Sequence, residues 1–201
     1  MEVLLGIIVF VLGLCFGSFV NMLVYRIAAK YGLIKNSQKS LSNSNKRSFC
    51  DYCGKQLNWY ENVPVLSWLM QKGKTRCCHK KLPIAYPVVE IGMGILFIFN
   101  VQFLISNDQL NWISVLLSLI IVVLLVFSAV FDWKYMILPD FSTIILIIIA
   151  FLGVFFDELN IIPYLLSALI GSGFLLILNL ITKGKGMGMG DVKFALFMGL
   201  F

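Results

Sequence analysis

The chain has 201 residues, of which 60% are hydrophobic and only 13% charged. Soluble domains sit near half apolar with about a quarter charged, so this composition excludes an ordinary soluble domain and predicts an all-α, multi-spanning membrane protein. The formal charge of +6 reports which loops meet the inner leaflet and gives no reason to expect a nucleic-acid partner.

Crossing a hydrocarbon core of ~30 Å takes about 20 residues of helix. Five apolar runs are candidate spans, over residues 3–25, 84–106, 111–131, 141–156 and 161–182. A sixth opens near Asp191 and stops at Phe201, about half a span, which predicts six or more transmembrane helices with the last one truncated here. The first run is not a cleavable signal peptide: no basic stretch precedes it and no small-x-small site precedes Arg26. Its Gly13-x-x-x-Gly17 spacing, followed by Ser18, suits close helix packing. Asn21, inside the same run, wants a hydrogen-bond partner on a neighbouring helix. In the fifth run, Gly171-Ser172-Gly173 reads as a second tight-packing point.

Charge placement predicts orientation. Of the sixteen Lys and Arg, twelve fall between Arg26 and Lys81, one is Lys134, and three are Lys183, Lys185 and Lys193. The alternate connections carry Asp108 and Asp157-Glu158 with no basic residue. The positive-inside rule then makes the loops 27–83, 132–140 and 182–190 cytoplasmic, with the N-terminus outside. The organisation expected is a first transmembrane helix (1–26), a cytoplasmic loop (27–83) and a helical membrane core (84–201). Residues 30–48, polar and rich in Ser, Asn and Lys, read as a linker.

Within the loop, residues 49–82 form a small cysteine-rich module. Cys50-Asp51-Tyr52-Cys53-Gly54 is the knuckle turn that aims two thiolates at one metal ion. Cys77 and Cys78 follow and complete a four-thiolate zinc set with Cys50 and Cys53. A reducing cytosol favours metal over disulfide, and a loop this short has too little core to fold unaided. Cys77 and Cys78 are adjacent, however, and neighbouring side chains tend to point apart, which leaves His79 as an alternative ligand.

Carboxylates inside apolar runs are costly and are functional candidates by default. Glu90 lies roughly two turns into the second run; catalysis or transport and a structural hydrogen bond are both open readings. Asp132 closes the third run, where the helix dipole disfavours a negative charge. Asp140, after Pro139 and before Phe141-Ser142-Thr143, reads as a helix N-cap. Asp191 sits in Gly188-Met189-Gly190-Asp191-Val192-Lys193, between a glycine-rich turn and a new apolar run. Alternation of the spans puts Asp132 and Asp191 on the same cytoplasmic face. Two such acids can share a proton and divide general-base and general-acid roles on a peptide bond. The same acids could serve a proton- or ion-coupled transporter. A third reading takes residues 49–82 as a metal-stapled binding module with the spans as anchor. No Gly-x-Ser-x-Gly elbow, His-Glu-x-x-His pair or phosphate-binding loop competes.

Taken in order, these motifs resemble the type IV prepilin peptidases. The resemblance covers nearly the whole chain: Gly17-Ser18-Phe19-Val20-Asn21 with Arg26, Phe49-Cys50-x-x-Cys53-Gly54, Trp59-Tyr60-Glu61-Asn62-Val63-Pro64-Val65-Leu66-Ser67-Trp68, and Tyr86-Pro87-Val88-Val89-Glu90. To these are added Asp132, Leu138-Pro139-Asp140, and Gly188-x-Gly190-Asp191-Val192-Lys193. The resemblance implies an aspartyl peptidase of the bacterial cytoplasmic membrane with Asp132 and Asp191 as the catalytic pair, supported by Gly188, Gly190 and Lys193. Its substrates would be type IV prepilins or pseudopilins, cut after a glycine at the cytoplasmic face. It further implies N-methylation of the new terminus with S-adenosylmethionine, whose binding residues no motif identifies. One departure stands out. The family's second cysteine pair is Cys-x-x-Cys ending nine residues before the proline matched by Pro87, which gives Cys78 and Thr75, so Cys77 must stand in for the cysteine missing at 75.

Overall fold

The computed structural model describes residues 2–34, 48–50, 52–107, 111–156, 161–184 and 186–201. Most of the predicted linker, and Asp51, Asp108, Asp157, Glu158 and Lys185, lie outside the described residues. Helices dominate: α1 (Glu2–Lys30), a short α2 (Leu66–Met70), α3 (Ala85–Ser106), α4 (Trp112–Tyr135), α5 (Asp140–Phe156), α6 (Ile161–Ile181) and α7 (Met189–Leu200). Four of them, α1, α3, α4 and α6, are long and apolar enough to cross a membrane, and α5 is a shorter apolar helix. Among the described residues the only β pairing is two isolated bridges, Phe49 with Gln56 and Lys74 with Lys81. The chain forms two compact units, Met1–Phe127 and Ser128–Phe201, and the division falls inside α4.

In the first unit α1 and α3 meet backbone to backbone at two glycines of α1. A Cβ on Gly13 would lie 2.6 Å from the Gly94 Cα, and one on Gly17 would lie 2.6 Å from the Glu90 Cα. Lipid tails are as apolar as leucine, so helices in a membrane associate through close backbone approach and interhelical hydrogen bonds. Both devices are present, because the Asn21 amide donates to the Tyr86 carbonyl at 3.2 Å. Val20, Val24 and Ala28 of α1, with Val89, Met93, Phe97 and Val101 of α3, fill the seam. The opposite face of α1, with Val3, Leu4, Ile7, Ile8, Val11 and Leu12 exposed, has the composition of a lipid-facing surface.

In the second unit α7 packs on α5 and α6. A Cβ on Gly199 would strike the Ala168 backbone, and the Ser167 hydroxyl donates to the Gly199 carbonyl at 2.5 Å. This moves the tight-packing point from where the sequence suggested it. Gly173 has nothing within 4 Å and Gly171 only the Ala195 carbonyl at 4.0 Å, because the face of α6 turned inward runs through Ala168, Ser172 and Asn179. At its other end the Ser128 hydroxyl donates to Ser142 at 2.9 Å, and Ser142 donates to the Pro139 carbonyl at 2.9 Å, tying α4 to the start of α5.

Candidate active site and metal centre

The cysteine module consists of two copies of one turn. In the first, the Cys50 N–H donates to the Lys55 carbonyl and the Gly54 N–H returns to the Cys50 carbonyl; in the second, Thr75 pairs with Lys80 and His79 with Thr75 in the same way. The position that needs a left-handed backbone is Gly54 (φ 72°) in one and His79 (φ 55°) in the other, the second being tolerable but less comfortable for a residue with a Cβ. Thr75 thus takes the place of the first cysteine of the second knuckle. Its hydroxyl lies 3.1 Å from the Cys78 sulfur and accepts the Lys80 N–H at 3.1 Å.

Cys77, one residue off that register, still brings its sulfur in. Cys77 Sγ lies 3.2 Å from Cys53 Sγ and 4.0 Å from Cys78 Sγ, and Cys50 Sγ lies 3.8 Å from Cys78 Sγ. All four sulfurs fall within 4.8 Å of one another. Four thiolates held ~2.3 Å from a tetrahedral zinc stand about 3.8 Å apart, so the donor set fits that ion. The adjacent cysteines do not point apart as their spacing suggested. Their sulfurs stand 4.0 Å apart and turn to the same point, and among the described residues the cluster is formed by the four cysteines without His79. The thiols are electrostatically unequal: burial pushes Cys77 up to about 12, helped by the Cys53 and Cys50 sulfurs beside it, whereas the Thr75 hydroxyl brings Cys78 down to about 7. Burial also raises Cys50. A cation is what lets such a crowded set lose its protons together.

Glu90 is buried on α3, 7% exposed, and its Oε2 accepts the Val65 N–H at 2.7 Å. That N–H comes from an unusual turn. Val65 has φ 59° and ψ −51°, and the Leu66 N–H closes back on the Pro64 carbonyl at 2.5 Å. This is a three-residue γ-turn of the strained, positive-φ kind, rare for any residue and rarer for a β-branched one. Nothing in the sequence around Pro64 marked it.

Asp191 occupies the third position of α7, and its Oδ2 accepts the N–H of Gly188, the N-cap residue, at 3.1 Å. The acid therefore closes its own helix start and faces the positive end of the helix dipole. The turn before it is held by Asn179, whose amide donates to the Met187 carbonyl at 2.5 Å. Gly190 lies directly on Leu138: a Cβ there would come within 2.9 Å of the Leu138 Cβ. Two residues beyond Asp191, Lys193 Nζ pairs with Asp140 Oδ1 at 2.6 Å, both groups being largely exposed. Asp140 is the first residue of α5, with the Pro139 carbonyl accepting the Ser142 N–H behind it. Its carboxylate thus goes to Lys193 rather than capping the helix as expected, because the start of α7 packs on the segment before α5. Asp132 lies in the last turn of α4, which continues to Tyr135, and is exposed. Its carbonyl accepts the Met136 N–H at 2.7 Å, and Met136 (φ 54°) turns the chain into the Leu138–Asp140 segment that α7 touches. The two aspartates thus belong to one unit, each at a helix end, whereas Glu90 and the cysteines belong to the other.

One partner escaped the sequence reading: Asp140 for Lys193. Thr75 holds the place of the missing cysteine that the family spacing gave it, and the chain carries its own signal for that register, since Cys53-Gly54-Lys55 and Cys78-His79-Lys80 align when residues 49–56 are laid on 74–81.

Comparison with known proteins bears on both units. The profile described as "Bacterial Peptidase A24 N-terminal domain" matches residues 11–103, and that of the "Type IV leader peptidase family" matches residues 119–201. A prepilin leader peptidase/N-methyltransferase of Vibrio cholerae is 34% identical over 96% of this chain and 76% of its own length. Enzymes of the same name from Myxococcus xanthus (34% identical, 70% of this chain and 38% of the relative) and Klebsiella pneumoniae (28%, 96% and 83%) are also similar. No solved structure matches the chain. With both family profiles matched in order, each on the unit that carries its motifs, the chain belongs to the type IV leader peptidase family and is a protease.

Proposed function

We propose that the protein removes the leader of type IV prepilins or pseudopilins, cutting after a glycine at the cytoplasmic face of the bacterial plasma membrane, with Asp132 and Asp191 as an aspartyl pair. The observation that carries this reading is the contact of Gly190 with Leu138. It sets the helix start bearing Asp191 against the segment that leaves Asp132, and the Lys193–Asp140 pair holds the same junction from the other side. Asp191 takes a proton from water, whose oxygen adds to the glycyl carbonyl carbon. Asp132 protonates the carbonyl oxygen, and the C–N bond then breaks as the departing amine receives a proton. A prepilin is itself an apolar helix with a basic cytoplasmic leader, so its scissile bond lies where helix ends at a polar boundary are available.

The names of the relatives and the resemblance support a second step. The new N-terminal amine accepts a methyl group from S-adenosylmethionine, with release of S-adenosylhomocysteine and one proton. Zinc at Cys50, Cys53, Cys77 and Cys78 would act as a staple, since four thiolates leave no open position for substrate. The predicted orientation, N-terminus outside and both aspartates inside, follows from the loop charges.

The test is incubation of the purified protein in liposomes with a prepilin-like peptide, with and without S-adenosylmethionine, read by mass spectrometry. Cleavage after the glycine, and a single added methyl group only when the donor is present, is the expected result. An intact peptide, alongside acid-dependent ion flux across the same liposomes, would overturn it in favour of transport.

A further inference from the structure

Helix α2, in the loop between α1 and α3, turns an apolar face outward. Leu66, Leu69 and Met70 are 58%, 57% and 72% exposed, and their i, i+3, i+4 spacing puts them on one side of the helix. Trp68 goes the other way. Lys72 (φ 49°) and Gly73 (φ 66°) fold the chain back, and a Cβ on Gly73 would lie 3.0 Å from the Trp68 ring. The Gly73 N–H returns to the Trp68 carbonyl at 3.0 Å, and the Leu82 N–H donates to the Gly73 carbonyl at 2.8 Å, which holds the hairpin in one orientation. A contiguous apolar face kept outward in this way marks an interaction surface.

Its depth identifies what meets it. The bond from Asn21 to the Tyr86 carbonyl sets α1 and α3 level with each other at that point. The first charge on α1 after Glu2 is Arg26, five residues past Asn21 and thus ~8 Å further out. Glu90 lies ~6 Å deeper than Tyr86, and a helical glutamate side chain leans back about one turn toward its N-terminus. Its bond to the Val65 N–H at 2.7 Å therefore holds Val65 near the level of Tyr86, on the apolar side of Arg26, and α2 begins at the next residue. Helices α1 and α3 are long and apolar enough to cross a membrane, so this level is the boundary between acyl chains and headgroups. Between Glu61 and Glu90 the sequence has no acid and carries Lys72, Lys74, Arg76, Lys80 and Lys81. Apolar side chains followed by lysines suit a segment lying in an anionic membrane surface. A soluble partner would have to enter that same boundary, which favours lipid.

We propose that α2 is an interfacial anchor: Leu66, Leu69 and Met70 enter the membrane leaflet at the start of α3, cytoplasmic in the predicted orientation, and Lys72 and Lys74 meet anionic lipid headgroups. The loop is tethered at both ends, to α1 and to α3, so a small apolar area suffices to keep it there. The anchor sets the height of the cysteine module against the membrane, whichever reaction the protein performs.

Photolabelling of the purified full chain in nanodiscs tests it, with a diazirine carried high on the lipid acyl chain and adducts mapped by mass spectrometry. In equal parts phosphatidylglycerol and phosphatidylcholine, Leu66, Leu69 and Met70 are labelled alongside the exposed Ile84 and Val88 at the start of α3. Leu69→Glu with Met70→Glu lowers labelling of α2 about tenfold, keeps that of Ile84 and Val88, and melts like the wild type. Lys72→Gln with Lys74→Gln lowers it about fivefold in the mixed lipid and has no effect in phosphatidylcholine alone. A wild type labelled at Ile84 and Val88 but not on α2 would overturn the proposal, and a Lys72 cross-link between two copies would then assign the face to self-association. Full labelling of α2 in both variants would overturn it as well.

Discussion

The two units treat their acids in opposite ways. In Met1–Phe127, Glu90 lies in the second turn of α3, buried beside Gly17 of α1 and held by the Val65 N–H. In Ser128–Phe201, Asp132 and Asp191 sit at helix ends, one exposed and the other half-buried, with Asp191 engaged, among the described residues, by the backbone of its own helix start. A carboxylate buried against a neighbouring apolar helix must be partnered continuously, which suits it to positioning or binding. One at a helix end can meet water and exchange protons, which hydrolysis demands. The same residue chemistry is thus divided by burial and by partner.

That comparison can be broken at several points, and the largest effect belongs to the cysteine cluster. Replacing Cys50 by Ser removes one of four converging sulfurs, in a class of site where zinc contributes ~10 kcal/mol or more to folding of small modules. Bound zinc, measured by atomic emission, should fall from about one ion per chain to near none, and limited proteolysis should open residues 48–82. Retained zinc would show that the cluster is not the staple.

Next comes Gly17→Leu. Its Cβ would overlap the Glu90 Cα, so α1 and α3 must separate, at a cost of ~3 kcal/mol or more. Thermal melting should drop markedly. Gly190→Ala is the counterpart in the second unit and is milder, because the Cβ meets the Leu138 side chain rather than backbone. A shift of a fraction of an ångström at the start of α7 should cost ~10-fold in cleavage rate and leave zinc content as it was. Equal cleavage by Gly190→Ala and wild type would dissolve the claim that this contact sets the geometry. Smallest is Lys193→Met. The pair with Asp140 is 40% and 63% exposed on its two sides, and exposed ion pairs contribute ~1 kcal/mol or less. Cleavage should fall by no more than about fivefold, with the loss shrinking further at high salt.

Much of this was legible in the residues. Long apolar runs with charged ends marked α1, α3, α4 and α6, since length and hydropathy alone decide what can span a bilayer. Gly13 and Gly17 marked a close-packing face, because residues without a side chain let two backbones approach, though not that α3 would fill it. What could not be read depends on distant parts of the chain. Asp140 had the local context of a helix cap, but Lys193, fifty-three residues away, takes its carboxylate. Gly171 and Gly173 looked suited to tight packing, but the rotation of α6 turns Ser172 inward and leaves both glycines without a close neighbour. The positive φ of Val65 has no local signature at all, for neither its own side chain nor its neighbours favour it; it exists because Glu90 waits on another helix. Cys77 beside Cys78 argued against a shared site, yet the Cys77 sulfur reaches Cys53 at 3.2 Å, a contact 24 residues away that the spacing alone does not show.

The central claim is that Asp132 and Asp191 act as one pair, and a cleavage assay on conservative variants tests it most directly. Asp132→Asn and Asp191→Asn, each purified, shown to melt like the wild type and given the same prepilin-like peptide, should each lose cleavage by at least ~10³-fold. The double variant should be no slower than either single one, as for groups that work as a unit. Leader removal at the wild-type rate by either single variant would contradict the account.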